Sequence, residues 1–344
     1  MLRFECDYAE GAHPLILKRL TETNMVQTPG YGMDEFSQKA RESIKKICKN
    51  NACDIHFVSG GTQANLLVIS SVLRPYQGVV SADTGHINTH ETGAVEATGH
   101  KVLSVKSDDG KLRADQVEEV YQAHINDPNH EHVPAPGMVY ISHPTENGTT
   151  YTKDELTALS EVCRKYNLPL FMDGARLGYG LAANDNTLEM ADIAELCDVF
   201  YIGGTKVGAL FGEAIVITKN ELKKDFRYNI KQRGAMLAKG RMLGIQFDVL
   251  FEDGLYFEIS KNAVGLAMLI KEACKKKGFP FRYESSTNQQ FPILPNKLIE
   301  ELSKKYAFYP WEKYDENNTA VRFCTSWASV EENVMQLVND IEKF

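Results

Sequence analysis

Between about residues 54 and 218, short apolar runs alternate with segments of helical periodicity. The runs are Asp54–Val58, Gly78–Ser81, Lys101–Val105, Met138–Ser142, Pro169–Asp173, Val199–Ile202 and Ala214–Thr218. The helical segments include Leu66–Leu73, Ala114–Asn126, Lys153–Tyr166 and Thr187–Leu196. Few folds accept that order. A strand followed by a crossing helix returns parallel to its predecessor, and a parallel sheet needs helices on both faces. The expected class is α/β, with a largely parallel sheet in a large domain that takes in residues 1–250.

The flanks read differently. Gly11, Pro14, Pro29 and Gly30 predict an irregular start with one short helix around Leu15–Thr23, then a helix at about 34–50. Past residue 220 the pattern turns helical, at 220–227, 234–251 and 258–277. Short strands near Phe281–Tyr283, Gln290–Leu294 and Val321–Cys324, with helices at 296–305 and 329–342, predict a smaller α+β domain over residues 251–344.

In open α/β sheets ligands gather at the carboxyl ends of the strands. Two strands here end in reactive groups. Pro169-Leu-Phe-Met-Asp-Gly-Ala-Arg-Leu177 delivers Asp173 and Arg176, and Val199-Phe-Tyr-Ile-Gly-Gly-Thr-Lys206 delivers Lys206. A carboxylate on a buried strand needs a cationic partner. A protonated pyridine nitrogen would serve; an Asp173–Arg176 pair or a helix cap are the structural alternatives. Lysine is rare among glycines and apolar residues unless it is paired or chemically used. A desolvated amine forms Schiff bases readily, whereas a solvated loop lysine does nothing. Acid, guanidinium and amine together outline a site for pyridoxal 5'-phosphate, whose ring acts as an electron sink.

Three further stretches bear on that site. Ser59-Gly60-Gly61-Thr62 lies between a strand and a helix, where small residues and free N–H groups suit a phosphate. An ordinary turn capped by Thr62 would look the same, and neither GxGxxG nor GxxxxGK[ST] is matched. His86, near Asp83, His90 and Glu91, could stack on a flat ring or handle a proton, or be one more polar loop residue. Arg322, inside the apolar run Ala320–Thr325, could grip a carboxylate through two parallel hydrogen bonds or point to water from an edge strand.

Composition removes other classes. A formal net charge of -8 gives no footprint for nucleic acid and argues against binding an anionic membrane. No apolar run approaches the roughly 20 residues of a membrane span. Met1–Cys6 lacks the apolar core of a signal peptide. Seven scattered cysteines without a CxxC pair fit reduced thiols in a cytoplasmic protein, with no metal site.

In order and spacing, Tyr31-Gly-Met-Asp34, Ser59-Gly-Gly-Thr-Gln-Ala-Asn65, His86 with Glu91, Met172-Asp-Gly-Ala-Arg-Leu177 and Thr205-Lys206 resemble the low-specificity L-threonine aldolases. These are pyridoxal phosphate enzymes of the aspartate-aminotransferase fold type, and the resemblance covers nearly the whole chain. It implies retro-aldol cleavage of a small amino acid, L-threonine or L-allo-threonine, to glycine and an aldehyde such as acetaldehyde. Lys206 would hold the cofactor as a Schiff base, Asp173 would face the pyridine nitrogen, and His86 would stack on the ring. Gly61 and Thr62 would cradle the phosphate. Arg176 would lie near the ring oxygen and the substrate carboxylate, and Arg322 would bind that carboxylate. The family's sites form between subunits of a homo-oligomer, a dimer or tetramer. Tyr31 and a basic residue within Lys231–Arg233 are therefore expected to reach a neighbour's site.

The resemblance departs at two places. Glu146, in His143-Pro-Thr-Glu-Asn-Gly148, stands where many members carry histidine, and Cys6 lies closest to the place of a substrate-binding serine. The general base stays open among His86, His90, Glu146 and water. β-Elimination or transamination on the same scaffold, and a non-catalytic nucleotide-binding α/β protein, are the competing readings.

Overall fold

A computed structural model describes all 344 residues. Strand β1 (Leu2–Arg3) opens the chain. Seven strands then build the central sheet: β2 (Asp54–Val58), β3 (Gln77–Ala82), β4 (Lys101–Val105), β5 (Ala135–Ser142), β6 (Leu170–Asp173), β7 (Val199–Gly203) and β8 (Glu213–Ile217), in the order β2-β8-β7-β6-β5-β3-β4. The central strands β6, β7 and β8 are buried along their whole length. Their continuous apolar sequences are what a strand covered on both faces requires. At the edge, β4 alternates instead, with Lys101 and Ser104 exposed and Val102 buried.

Strands β2 to β7 run parallel, while β8 runs antiparallel to both β7 and β2. The exception has a simple cause. Only the loop between Gly203 and Glu213 joins β7 to β8, which is too short for a crossover helix. Helices Gly61–Val72 and Phe226–Gln232 cover one face of the sheet; helices Glu35–Ile47, Lys153–Lys165 and Arg241–Phe251 cover the other.

Several expected elements shift. The helix expected at 234–251 begins only at Arg241. Gly234 has a left-handed φ of 72°, and a Cβ on Gly240 would lie 2.5 Å from the Gly32 backbone nitrogen. In place of a helix over 220–227 there is a 3-10 turn at Asn220–Leu222, followed by helix Phe226–Gln232. The segment expected as a helix from Thr187 starts at Met190. Phe281–Tyr283 forms no strand, only a single bridge from Phe281 to Pro292.

The C-terminal region carries β9 (Gln289–Gln290), β10 (Ile293–Pro295), β11 (Tyr306–Ala307), β12 (Tyr309–Lys313) and β13 (Asn318–Cys324). β13 pairs antiparallel with β9, β10 and β12, so it is an inner strand and Arg322 is not at an edge. Helices Leu255–Lys276 and Glu331–Lys343 pack behind this sheet. The chain's first residues join the same unit. β1 pairs with β11, the Cys324 N–H donates to the Phe4 carbonyl at 2.7 Å, and Phe4 packs in one cluster with Leu266, Val321 and Leu337. No helix is long and apolar enough to cross a membrane.

Candidate active site

The carboxyl ends of β2, β5, β6 and β7 meet at a pocket of about 310 Å³. Asp173, Arg176 and Lys206 all line it, as do His86, Gly61 and Thr62. The two reactive strand ends are pinned together by glycine. The Gly203 N–H donates to the Gly174 carbonyl at 2.9 Å. A Cβ on Gly174 would lie 2.0 Å from the Tyr201 carbonyl oxygen, and one on Gly203 would lie 2.2 Å from that of Ala175.

Asp173 is buried and accepts four hydrogen bonds. Tyr201 Oη donates at 2.5 Å and Tyr140 Oη at 2.6 Å, the Ala175 N–H at 3.0 Å and Asn65 Nδ2 at 3.1 Å. Burial alone would raise its pKa. The nearby His86 ring and the donors from Tyr140, Tyr201 and Ala175 outweigh burial and hold it below the usual carboxylate value. All four contacts are neutral donors. A buried carboxylate without a cation in contact is a ready partner for a protonated pyridine nitrogen. The alternative Asp173–Arg176 pair is not formed: Arg176 pairs with Asp7 instead.

Lys206 sits in the loop after β7. Its amine makes no hydrogen bond and no ion pair, while Tyr179 Oη donates to its backbone carbonyl at 2.5 Å. Burial and then the charge of Arg176 lower its pKa; Asp7, Asp173 and Glu213 pull the other way. It is not the solvated loop lysine that sequence alone left open. Glu213, at the start of β8, also lines the pocket, accepting from Thr205 Oγ1 at 2.9 Å and from the Gly204 N–H at 3.0 Å. Burial pushes its pKa up to about 8, against the pull of the Thr205 bond and of Lys206.

Helix Gly61–Val72 opens at the pocket without a side-chain cap; Gly60 is the N-cap, so Thr62 does not play that part. The free N–H groups there and the open space around Gly60, where a Cβ would touch nothing within 4 Å, suit a phosphate. Buried anion, uncapped helix start and unpartnered amine thus fit the two ends and the aldehyde carbon of pyridoxal phosphate.

His86 begins a short helix, His86–Thr89. Its Nδ1 bonds Glu91 Oε1 at 2.9 Å, and Asn65 Nδ2 donates to that same oxygen at 2.8 Å. Burial lowers its pKa, but the Glu91 bond and the charge of Asp173 more than compensate and leave it raised. The His86 and His90 rings stack, with centroids 5.6 Å apart, and His90 lies outside the pocket lining.

Arg322, expected at the substrate carboxylate, does not line this pocket, and neither does Tyr31, which was expected at a neighbour's site. Tyr31 lies in a surface cleft with Arg227, Lys231 and Met236, the Lys231 amine 4.9 Å from its ring centroid. Arg322 donates to the Glu5 carbonyl at 2.9 Å and to Gln289 Oε1 at 3.3 Å, lies over the rings of Tyr309 and Trp311, and keeps a buried Nε without a partner. The sequence reading missed Asp7, Tyr140, Tyr201 and Glu213. The tyrosines look like core apolar residues, and Glu213 lies at the start rather than the end of its strand.

The fold is the scaffold of the aminotransferases. The family model described as beta-eliminating lyase matches residues 14–296, and the chain belongs to this family. Within it the kinship is with threonine aldolases. A "Low specificity L-threonine aldolase" of a Pseudomonas species is 31% identical, over 98% of this chain and 96% of its own. The solved structure of Leishmania major threonine aldolase superposes with a TM-score of 0.97 at 44% identity, covering 100% of this chain and 99% of its own. A histidinol-phosphate aminotransferase from Clostridium acetobutylicum, 13% identical with a TM-score of 0.74 over 100% of this chain and 98% of its own, shares the fold.

Proposed function

We propose that the protein cleaves L-threonine, L-allo-threonine and related β-hydroxy-α-amino acids by a retro-aldol reaction, giving glycine and an aldehyde, with pyridoxal 5'-phosphate as cofactor. One observation carries the cofactor reading. A buried carboxylate, Asp173, held only by neutral donors, shares a pocket with Lys206, an amine that has no partner. The threonine aldolase relatives supply the reaction.

Asp173 would hold the pyridine nitrogen protonated. The N–H groups at Gly61 and Thr62 would take the phosphate, Lys206 the aldehyde carbon, and His86 would lie on the ring. When bound, pyridoxal phosphate supplies an electron sink for the pair released at Cα. Arg176 is already engaged by Asp7. Held there in the pocket lining, Arg176 would meet the substrate carboxylate, and Arg322 would join it from outside that lining. Tyr31 and Lys231, which do not line their own chain's pocket, would complete the site of a second copy in a homo-oligomer.

The purified protein, loaded with pyridoxal phosphate and given L-allo-threonine, should release acetaldehyde and glycine. Lys206→Ala should lose both the visible absorbance of the bound cofactor and the reaction. Full loading with no aldehyde from any β-hydroxy amino acid would remove the aldolase reading. Pyruvate or a keto acid as product would replace it with elimination or transamination.

A further inference from the structure

Glu146 enters the pocket from the loop after β5. Its Oε1 accepts from Ser142 Oγ at 2.7 Å and from the His86 backbone N–H at 3.0 Å. Its Oε2 is shut off from solvent and has no partner at all. A buried carboxylate oxygen without a donor is costly unless a ligand supplies one. The last torsion of glutamate is soft. A turn about it brings the unpartnered oxygen toward the pocket as Oε1 gives up its bonds to Ser142 and the His86 N–H.

The neighbouring bases are committed elsewhere. The Nδ1 of His86 is engaged by Glu91. His90 does not line the pocket. His143 is fully buried outside it, with Nδ1 accepting from the Tyr151 N–H at 3.3 Å, and burial lowers its pKa to about 4. Glu213 has donors on both oxygens.

We propose that Glu146 is the catalytic base of this site, its unpartnered oxygen accepting the proton of the substrate's β-hydroxyl. The inference rests on the aldolase reading. In the step, the hydroxyl O–H bond breaks and a carboxyl O–H bond forms on Glu146. The freed pair becomes the second bond of the aldehyde C=O as Cα–Cβ breaks. The pair left on Cα takes up a proton to give glycine, and Glu146 returns its proton to solvent. The net movement is one proton from oxygen to carbon.

Substitution Glu146→Gln keeps the shape and an acceptor for Ser142 and His86, but cannot take a proton. Two reactions of the loaded enzyme separate its roles: aldehyde release from L-allo-threonine, and exchange of the glycine α-proton with deuterated water followed by NMR. Exchange needs the cofactor and Lys206 but involves no β-hydroxyl. The variant should lose about 100-fold or more in cleavage while exchange stays within a few-fold of wild type. Unchanged cleavage overturns the proposal. A wild type that exchanges glycine but releases no aldehyde defeats the aldolase reading instead.

Should Glu146→Gln lose both reactions, Ser142→Ala decides. That change removes a donor that holds the Glu146 pKa down, so the acid limb of kcat/KM should move to higher pH. An unmoved limb overturns the proposal. The groups facing Glu146 in that titration are His86 on its short helix, Asp173 on β6, Arg176 beyond it, Tyr140 on β5, and Tyr151.

Discussion

Arg176 and Asp7 are joined at two points, Nε to Oδ2 at 2.7 Å and NH2 to Oδ1 at 3.0 Å, although 169 residues separate them in the chain. Asp7 is completely buried and also accepts from Asn288 Nδ2 at 2.9 Å. Burial raises its pKa, but Arg176 and Lys206 reverse that and hold the carboxyl below its ordinary value. The pair fixes the guanidinium in the pocket lining with a residue from the chain's N-terminal stretch.

Breaking one partner leaves the other charge buried and unpaired. Asp7→Asn should therefore cost on the order of 3–5 kcal/mol of stability, read as a lowered midpoint in urea. An unchanged midpoint would show that the pair is not what holds this corner.

Tyr140 and Tyr201 donate to the two oxygens of Asp173. A hydrogen bond to a charged acceptor contributes about 1.5–3 kcal/mol. Tyr201→Phe should weaken retention of pyridoxal phosphate by about tenfold or more, measured by visible absorbance during dialysis, and the double phenylalanine variant should lose more. Retention equal to wild type in both variants would contradict the assignment of Asp173 to the pyridine nitrogen.

Glu213 sets a pH signature. Its pKa rises from the ordinary 4.5 to about 8 on folding, so the folded state binds the proton more tightly than the unfolded chain. Its stabilising contribution is present in full below about pH 4.5 and is lost as pH rises to about 8. Lys206, lowered by burial, titrates with the opposite sign, which is why the difference between two proteins is the quantity to follow. Relative to wild type, apo Glu213→Gln should gain stability steadily across that window in urea unfolding. Parallel stability curves across the window would refute the raised value.

The glycines at the strand ends give a packing test. Gly174→Ala places a Cβ 2.0 Å from the Tyr201 carbonyl oxygen, which must move, whereas Gly11→Ala meets nothing within 4 Å. The first should yield protein without cofactor absorbance or native near-UV dichroism. The second should be indistinguishable from wild type. Normal loading of Gly174→Ala would mean that the β6 and β7 ends can part without cost.

The sheet was legible because its code is local. A run such as Leu-Phe-Met-Asp states both a buried strand and the charge at its end, and Asp173 and Lys206 could be read from two such runs. What stayed hidden depends on direction and on distant pairing. Glu213 was overlooked because β8 reverses, which brings the first residue of that strand to the edge where the others end. β12 was missed because Pro310, Glu312 and Lys313 break the apolar pattern of a strand that lies at a sheet edge. Tyr140 and Tyr201 read as core because only their hydroxyls matter, and a hydroxyl does not alter apolar periodicity. Asp7 lies in a stretch with no period at all, and its partner is set by tertiary structure alone.

The pairing of β1 with β11, and of Phe4 with the end of β13, places the chain's earliest residues in a seat built from some of its last. During synthesis the sheet strands up to β8 emerge and can pair while that seat does not yet exist. Asp7, which anchors Arg176, is carried on the segment that this seat holds. The pocket therefore depends on the C-terminal sheet, and a chain folded only through β8 carries its lysine and aspartate without the arginine fixed beside them.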